Sequence, residues 1–135
     1  MALIDWNDSL KLGIPTLDFQ HRRLVDILNR LHEAMVSRQG NEVLVVILDD
    51  LVKYTIEHFT YEESVLKAHG YGDYAGHVGL HHELTHQVRD FRLKLKEGRI
   101  GLSATVLQFL TQWLTLHIGN EDRKYVAYLT EKGVR

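Results

Sequence analysis

The 135 residues, 44% apolar and 25% charged, fit one soluble globular domain over residues 1–135, long enough to bury a core. Sixteen Lys and Arg against eighteen Asp and Glu leave a formal charge of −2, without the basic field that nucleic acid or an anionic membrane surface recruits. The absence of cysteine removes disulfides, a thiolate nucleophile and any sulfur-based metal site, so a metal here must sit on nitrogen and oxygen. No basic region followed by an apolar stretch opens the chain, and no run approaches the roughly 20 apolar residues of a membrane span, so a cytoplasmic protein with no membrane partner is expected.

The first residues, with Trp6, Gly13 and the only proline, Pro15, read as an irregular arm; beyond them the chain is free to form long helices. Leu17, Leu24, Leu28, Leu31 and Met35 recur at the three-and-four spacing of one helical face, which breaks at Ser37 to Asn41. A second stripe, Leu44, Ile47, Leu51, Tyr54 and Val65, predicts a helix of about six turns that closes at His69-Gly70-Tyr71-Gly72-Asp73. A third, Leu80, Leu84, Val88, Phe91 and Leu95, ends at Gly98-Arg99-Ile100-Gly101. Ser103 offers a start for a fourth, carrying Val106, Leu107, Leu110, Trp113, Leu114, Ile118, Tyr125 and Leu129. Four helices with short connections predict an all-α, up-down antiparallel four-helix bundle, whose sites are built from inward side chains of facing helices. The basic pairs Arg22-Arg23 and Arg123-Lys124 read as solvated helix faces.

Nine histidines are the second compositional feature, and no terminal run accounts for them. At about 100° per residue, His21 falls on the first stripe, and His58 with Glu62 continues the second. His77 and His81 extend the third, and His117 follows Trp113 and Leu114 on the fourth. A lone inward histidine is ordinarily a satisfied core residue. Five with carboxylates cannot easily satisfy one another in an aliphatic interior, whereas neutral imidazoles and anionic carboxylates around divalent cations satisfy every group at once. His82 and His86 share the four-residue spacing but lie off the stripe on the polar face with Arg89, and read as surface. His32 and His69 read as helix-surface and turn residues.

Five imidazoles are too many for one ion that must keep an open position, and a carboxylate can bridge two ions, so the pattern predicts two metals. The ferritin-like plan needs two Glu-x-x-His motifs; only Glu83-Leu84-Thr85-His86 fits, mostly off the stripe. The site is expected to be histidine-rich and carboxylate-poor.

From Trp6 to about Leu129 the chain closely resembles the hemerythrins, in their single-domain bacterial form. The motifs are Ile4-x-Trp6 with Gly13-Ile14, then Asp18-Phe19-Gln20-His21, His58-Phe59-x-x-Glu62-Glu63, His77-x-x-x-His81 and Trp113-Leu114-x-x-His117-Ile118-x-x-x-Asp122. The resemblance implies two iron ions joined by a bridging oxo or hydroxo group: one held by His77, His81 and His117, the other by His21 and His58, with Glu62 and Asp122 bridging. The second iron would keep one vacancy for dioxygen. The matching family positions imply a ligand pocket lined by Leu24, Phe59, Trp113, Leu114 and Ile118.

Helical geometry leaves one ligand open. On an ideal helix Glu121 lies about 40° from His117 and Asp122 about 140°; the stripe rotates afterwards toward Ile118, Tyr125 and Leu129, between the two acids. The resemblance favours Asp122. As to function, it implies reversible dioxygen binding for transport, storage or sensing, with no catalytic residue and with the protein that receives the oxygen unknown. The alternative is a di-iron enzyme handling peroxide or nitric oxide with the same ligands. The sequence disfavours it because no inward Tyr, Lys or third carboxylate is clearly placed as a proton donor, Tyr54 being the possible exception.

Overall fold

The computed structural model describes residues 4–98 and 104–135. Four long elements build the bundle: α1 (Pro15–Val36), α2 (Asn41–Ala68), α3 (Tyr74–Lys96) and α4 (Ala104–Leu116). A π-helical turn, His117–Glu121, a 3-10 turn, Asp122–Tyr125, and a short helix α5, Val126–Glu131, follow. Pro15 stands in the first turn of α1, where its missing N–H costs nothing. α2 runs 28 residues, longer than the predicted six turns because it extends three residues beyond the stripe Leu44 to Val65 at each end. Gly70 (φ 69°) closes α2, and its N–H and that of Tyr71 donate to the carbonyls of Lys67 and Leu66. Ser103 and most of the Gly98–Gly101 connection lie outside the described residues.

α2 packs against α3 and α1, and α1 against α4, as short antiparallel connections require. The half of the bundle far from the histidines is aliphatic, with Leu28, Leu31, Leu48, Leu51, Val88 and Leu110 buried. The N-terminal arm is irregular but fastened. The N–H of Ile4 donates to Oδ1 of Asn29 while Nδ2 of Asn29 donates back to its carbonyl, each at 2.9 Å. Both carboxylate oxygens of Asp18 accept the N–H groups of Leu12 and Gly13. Among the described residues no helix is long and apolar enough to cross a membrane.

The predicted unbroken fourth helix is corrected. After Leu116 the backbone widens, and the N–H of Asp122 donates to the carbonyl of His117, five residues back. Arg123, expected on a solvated face, is a clamp here: it donates to the carbonyls of Gly119, Ser9 and Lys11. It thereby joins the widened turn to the arm.

Candidate metal centre

All four helices deliver the predicted side chains to one end of the core, near the start of α1 and α3 and the end of α2 and α4. His21, His58, Glu62, His77, His81, His117 and Asp122 are each at most 5% exposed. They form two overlapping clusters, Glu62, His77, His81, His117 and Asp122 on one side and His21, His58, Glu62 and Asp122 on the other. Within each, one donor atom per residue lies within 4.8 Å of every other.

The carboxylates divide their oxygens between the two sides. Oε1 of Glu62 faces Nε2 of His77 at 2.5 Å and of His81 at 3.2 Å, while Oε2 faces Nε2 of His58 at 3.0 Å and of His21 at 3.6 Å. Oδ1 of Asp122 faces His77 at 3.0 Å and His117 at 3.1 Å, and Oδ2 faces His21 at 3.0 Å. Three imidazoles thus stand against two, with one oxygen of each acid on either side.

The widened turn accounts for Asp122. The five-residue hydrogen bond puts the fifth residue after His117 where an α-helix would put the fourth, so Asp122 is wholly buried beneath His117. Glu121 turns outward, its side chain 33% exposed and its carboxylate bound by Nζ of Lys124 at 3.1–3.2 Å.

Whether these residues suit a metal can be judged from their alignment. Nε2 of His21 and His58, Oε2 of Glu62 and both oxygens of Asp122 are buried without a hydrogen-bond partner, although an opposite group stands about 3 Å away in each case. Their lone pairs converge on shared gaps instead of pairing donor to acceptor. Buried carboxylates without partners cost several kcal/mol, on the order of 3–5, unless a cation takes their place. The donor set is nitrogen and anionic oxygen, which suits iron, zinc or manganese.

Without a metal, protons carry part of this charge. Burial pushes His21 and His77 down, but Asp122 and Glu62 beside them outweigh it and raise them to about 9 and about 10. Burial lowers His58. Burial acts to raise Glu62, but four surrounding imidazoles hold it well below the usual carboxylate range; Asp122, penalised by burial and by Glu62, is pulled below it by His117 and His21.

Three residues beside the centre carry no role in the sequence reading, although Gln20 and Glu63 stand in the family motifs. Nδ1–H of His58 donates to Oε1 of Gln20 at 2.6 Å, and Nδ1–H of His81 donates to Oε2 of Glu63 at 2.9 Å, which leaves each Nε2 lone pair aimed inward. Both partners neighbour an inward residue in sequence and so lie off the stripe, where apolar periodicity gives no signal. Tyr125 was counted as core; it is wholly buried, its ring is 5.5 Å from that of His77, and its hydroxyl has no partner. Burial, reinforced by the charges of Asp122 and Glu62, holds the phenol well above its ordinary range. The expectation that Tyr54 is the possible inward phenol is corrected: Tyr54 is half-buried with the guanidinium of Arg23 over its ring.

Leu24, Phe59, Trp113, Leu114 and Ile118 are all buried. Phe59 stacks flat on His81 with centroids 3.6 Å apart, and Trp113 lies nearly parallel to His117 at 6.3 Å. His82 and His86 are exposed, His69 caps α2 in a turn, and His32 is half-buried, more enclosed than the helix-surface place expected of it.

The family model for the hemerythrin HHE cation binding domain matches residues 12–129. A bacteriohemerythrin of Stenotrophomonas maltophilia is 38% identical over 125 residues, covering 93% of this chain and 80% of the relative. A bacteriohemerythrin of Methylococcus capsulatus is 29% identical over 126 residues, covering 93% and 95%. A solved wild-type hemerythrin superposes with a TM-score of 0.86 at 28% identity, covering 93% of this chain and 97% of that one. A buried nest of five imidazoles and two carboxylates, on a bundle matched over nearly its whole length, is accounted for in one way: the chain belongs to the hemerythrin family, with its cation-binding domain.

Proposed function

We propose that this protein binds dioxygen reversibly at a non-haem di-iron centre, as a carrier, store or sensor of oxygen, and does not turn over a substrate. The observation that carries the reading is the three-to-two division of imidazoles around two carboxylates that each offer one oxygen to either side. His77, His81 and His117 would hold one ion and His21 and His58 the other, with Glu62 and Asp122 shared. Two iron ions held this way supply two electrons and, on the side with fewer imidazoles, an open position for dioxygen. Glu63 and Gln20 keep His81 and His58 in the tautomer that presents Nε2 inward.

Leu24, Phe59, Trp113, Leu114 and Ile118 exclude water around the imidazoles. Their one polar atom is the indole N–H of Trp113, a hydrogen-bond donor that does not titrate. Reversibility follows from that poverty of acids: without a proton delivered to it, bound dioxygen leaves as it came. Replacing Leu114 by Ser or Ile118 by Asn is therefore expected to shorten the lifetime of the oxygenated protein severalfold, because a polar side chain there admits water, which can carry a proton into the pocket. Unchanged lifetimes would remove these side chains from the pocket.

The direct test is the visible spectrum through cycles of reduction, air and argon, beside an iron count. Two irons per chain and a spectrum regained in every cycle are expected; colourless protein with less than one iron overturns the reading. Tyr125 supports a second reading, a di-iron enzyme acting on peroxide or nitric oxide, because its buried hydroxyl, 5.5 Å ring-to-ring from His77, is a hydrogen-bond donor beside the carboxylates. Steady turnover of either compound that is lost in Tyr125→Phe would favour the enzyme.

A further inference from the structure

α3 carries a second histidine pair that oxygen binding does not use. His82 and His86 stand four residues apart on one face, a spacing at which two imidazoles can share one ion, and both are exposed. They line a cleft of about 330 Å³ between α2 and α3, with Arg89 among the outer residues and Glu63, Phe59 and His81 in its wall. Three other surface clefts, of about 300 to 850 Å³, touch none of the seven residues of the buried centre.

Along this cleft the metal-binding side chains are graded in depth. His82 and His86 are exposed, the Glu63 side chain is 20% exposed, and His81 is 1% exposed, with its Nδ1 on Oε2 of Glu63. We infer that His82 and His86 capture a divalent transition-metal ion at the mouth of the cleft and that Glu63 relays it inward, so that this cleft is the route by which the buried centre is loaded. The inference rests on the di-iron reading of that centre. Arg89 opposes any accumulation of cations by charge alone, so capture depends on coordination by neutral imidazole, which retains iron, nickel or zinc and leaves magnesium in water. Two donors at the mouth against the larger shared set inside make the transfer downhill.

The test is anaerobic loading of metal-free protein with stoichiometric ferrous ion, followed by the loss of iron to a colorimetric chelator at successive times. In His82→Ala/His86→Ala the initial uptake is expected to slow severalfold, with the same final iron per chain. A slight excess of nickel should slow the wild type more than the variant, since only competition at the buried centre is common to both, and magnesium should slow neither. Uptake by the variant at the wild-type rate, or equal nickel binding by iron-loaded wild type and variant in calorimetry, overturns the route. Wild-type protein that takes up no iron refutes the di-iron reading and the route with it, while nickel calorimetry on that protein still decides whether the pair holds an ion.

Discussion

Asp122→Ala is expected to strip the centre of iron, and Glu121→Ala to leave it full. Asp122 sends one oxygen toward His77 and His117 and the other toward His21, so on the proposed di-iron reading its loss takes a carboxylate from both sides at once. Losing a mere outer partner of a ligand costs about 10–100-fold in metal affinity; losing this carboxylate should exceed that, with iron falling below one per chain and the visible spectrum disappearing. Glu121 is half-exposed and engages only Lys124, an exposed pair worth at most about 0.5 kcal/mol. Iron analysis and spectra of the two variants decide the matter, and the reverse pattern would mean that the turn after His117 is α-helical.

Metal removal should convert the centre into a source of opposite pH dependences. In the metal-free chain His21 and His77 are raised to about 9 and about 10, so the stability they contribute is complete below their unfolded value near 6.5 and is lost as pH climbs through 9–10. Glu62 and Asp122 are depressed, so their contribution is present above about pH 5 and is lost on acidification; His58, lowered by burial, adds to the acid-side loss below about 6.5. Metal-free protein should therefore be most stable near neutrality, and its Tm should fall between pH 7 and 10. The loaded protein should hold its Tm over that range, because bound ions require these imidazoles deprotonated. Loading at pH 7 should release protons from His21 and His77, measurable by calorimetry in buffers of different ionisation enthalpy. A metal-free Tm that is flat from pH 7 to 10, or loading without proton release, contradicts the charge balance described for the centre.

The legible part of the molecule is the part written in periodicity. The stripes through Leu17 to Met35 and Leu44 to Val65 placed α1 and α2, and five histidines on those and the two later stripes pointed inward, as the structure has them. For side chains one residue off a stripe, the family motifs gave the residue but periodicity did not give its contact. Gln20 and Glu63 reach their imidazoles by lying beside an inward neighbour, and no hydrophobic pattern marks a polar residue whose one contact is another side chain's far nitrogen. Tyr125 sat on a stripe but read as core, because an apolar ring hides where its hydroxyl ends.

By itself the sequence determined that four amphipathic helices must associate and that five imidazoles would be enclosed with acids, since burying a stripe buries whatever shares its angle. Between Glu121 and Asp122 helical periodicity did not choose; the family motif favoured Asp122, and the tertiary structure supplies the physical reason that it is Asp122 that is buried. Its burial turns on one extra residue in the turn after His117, beside which Arg123 donates to the carbonyls of Gly119 and of the N-terminal arm. That contact joins residues more than a hundred positions apart, and an angle counted along an ideal helix cannot contain it.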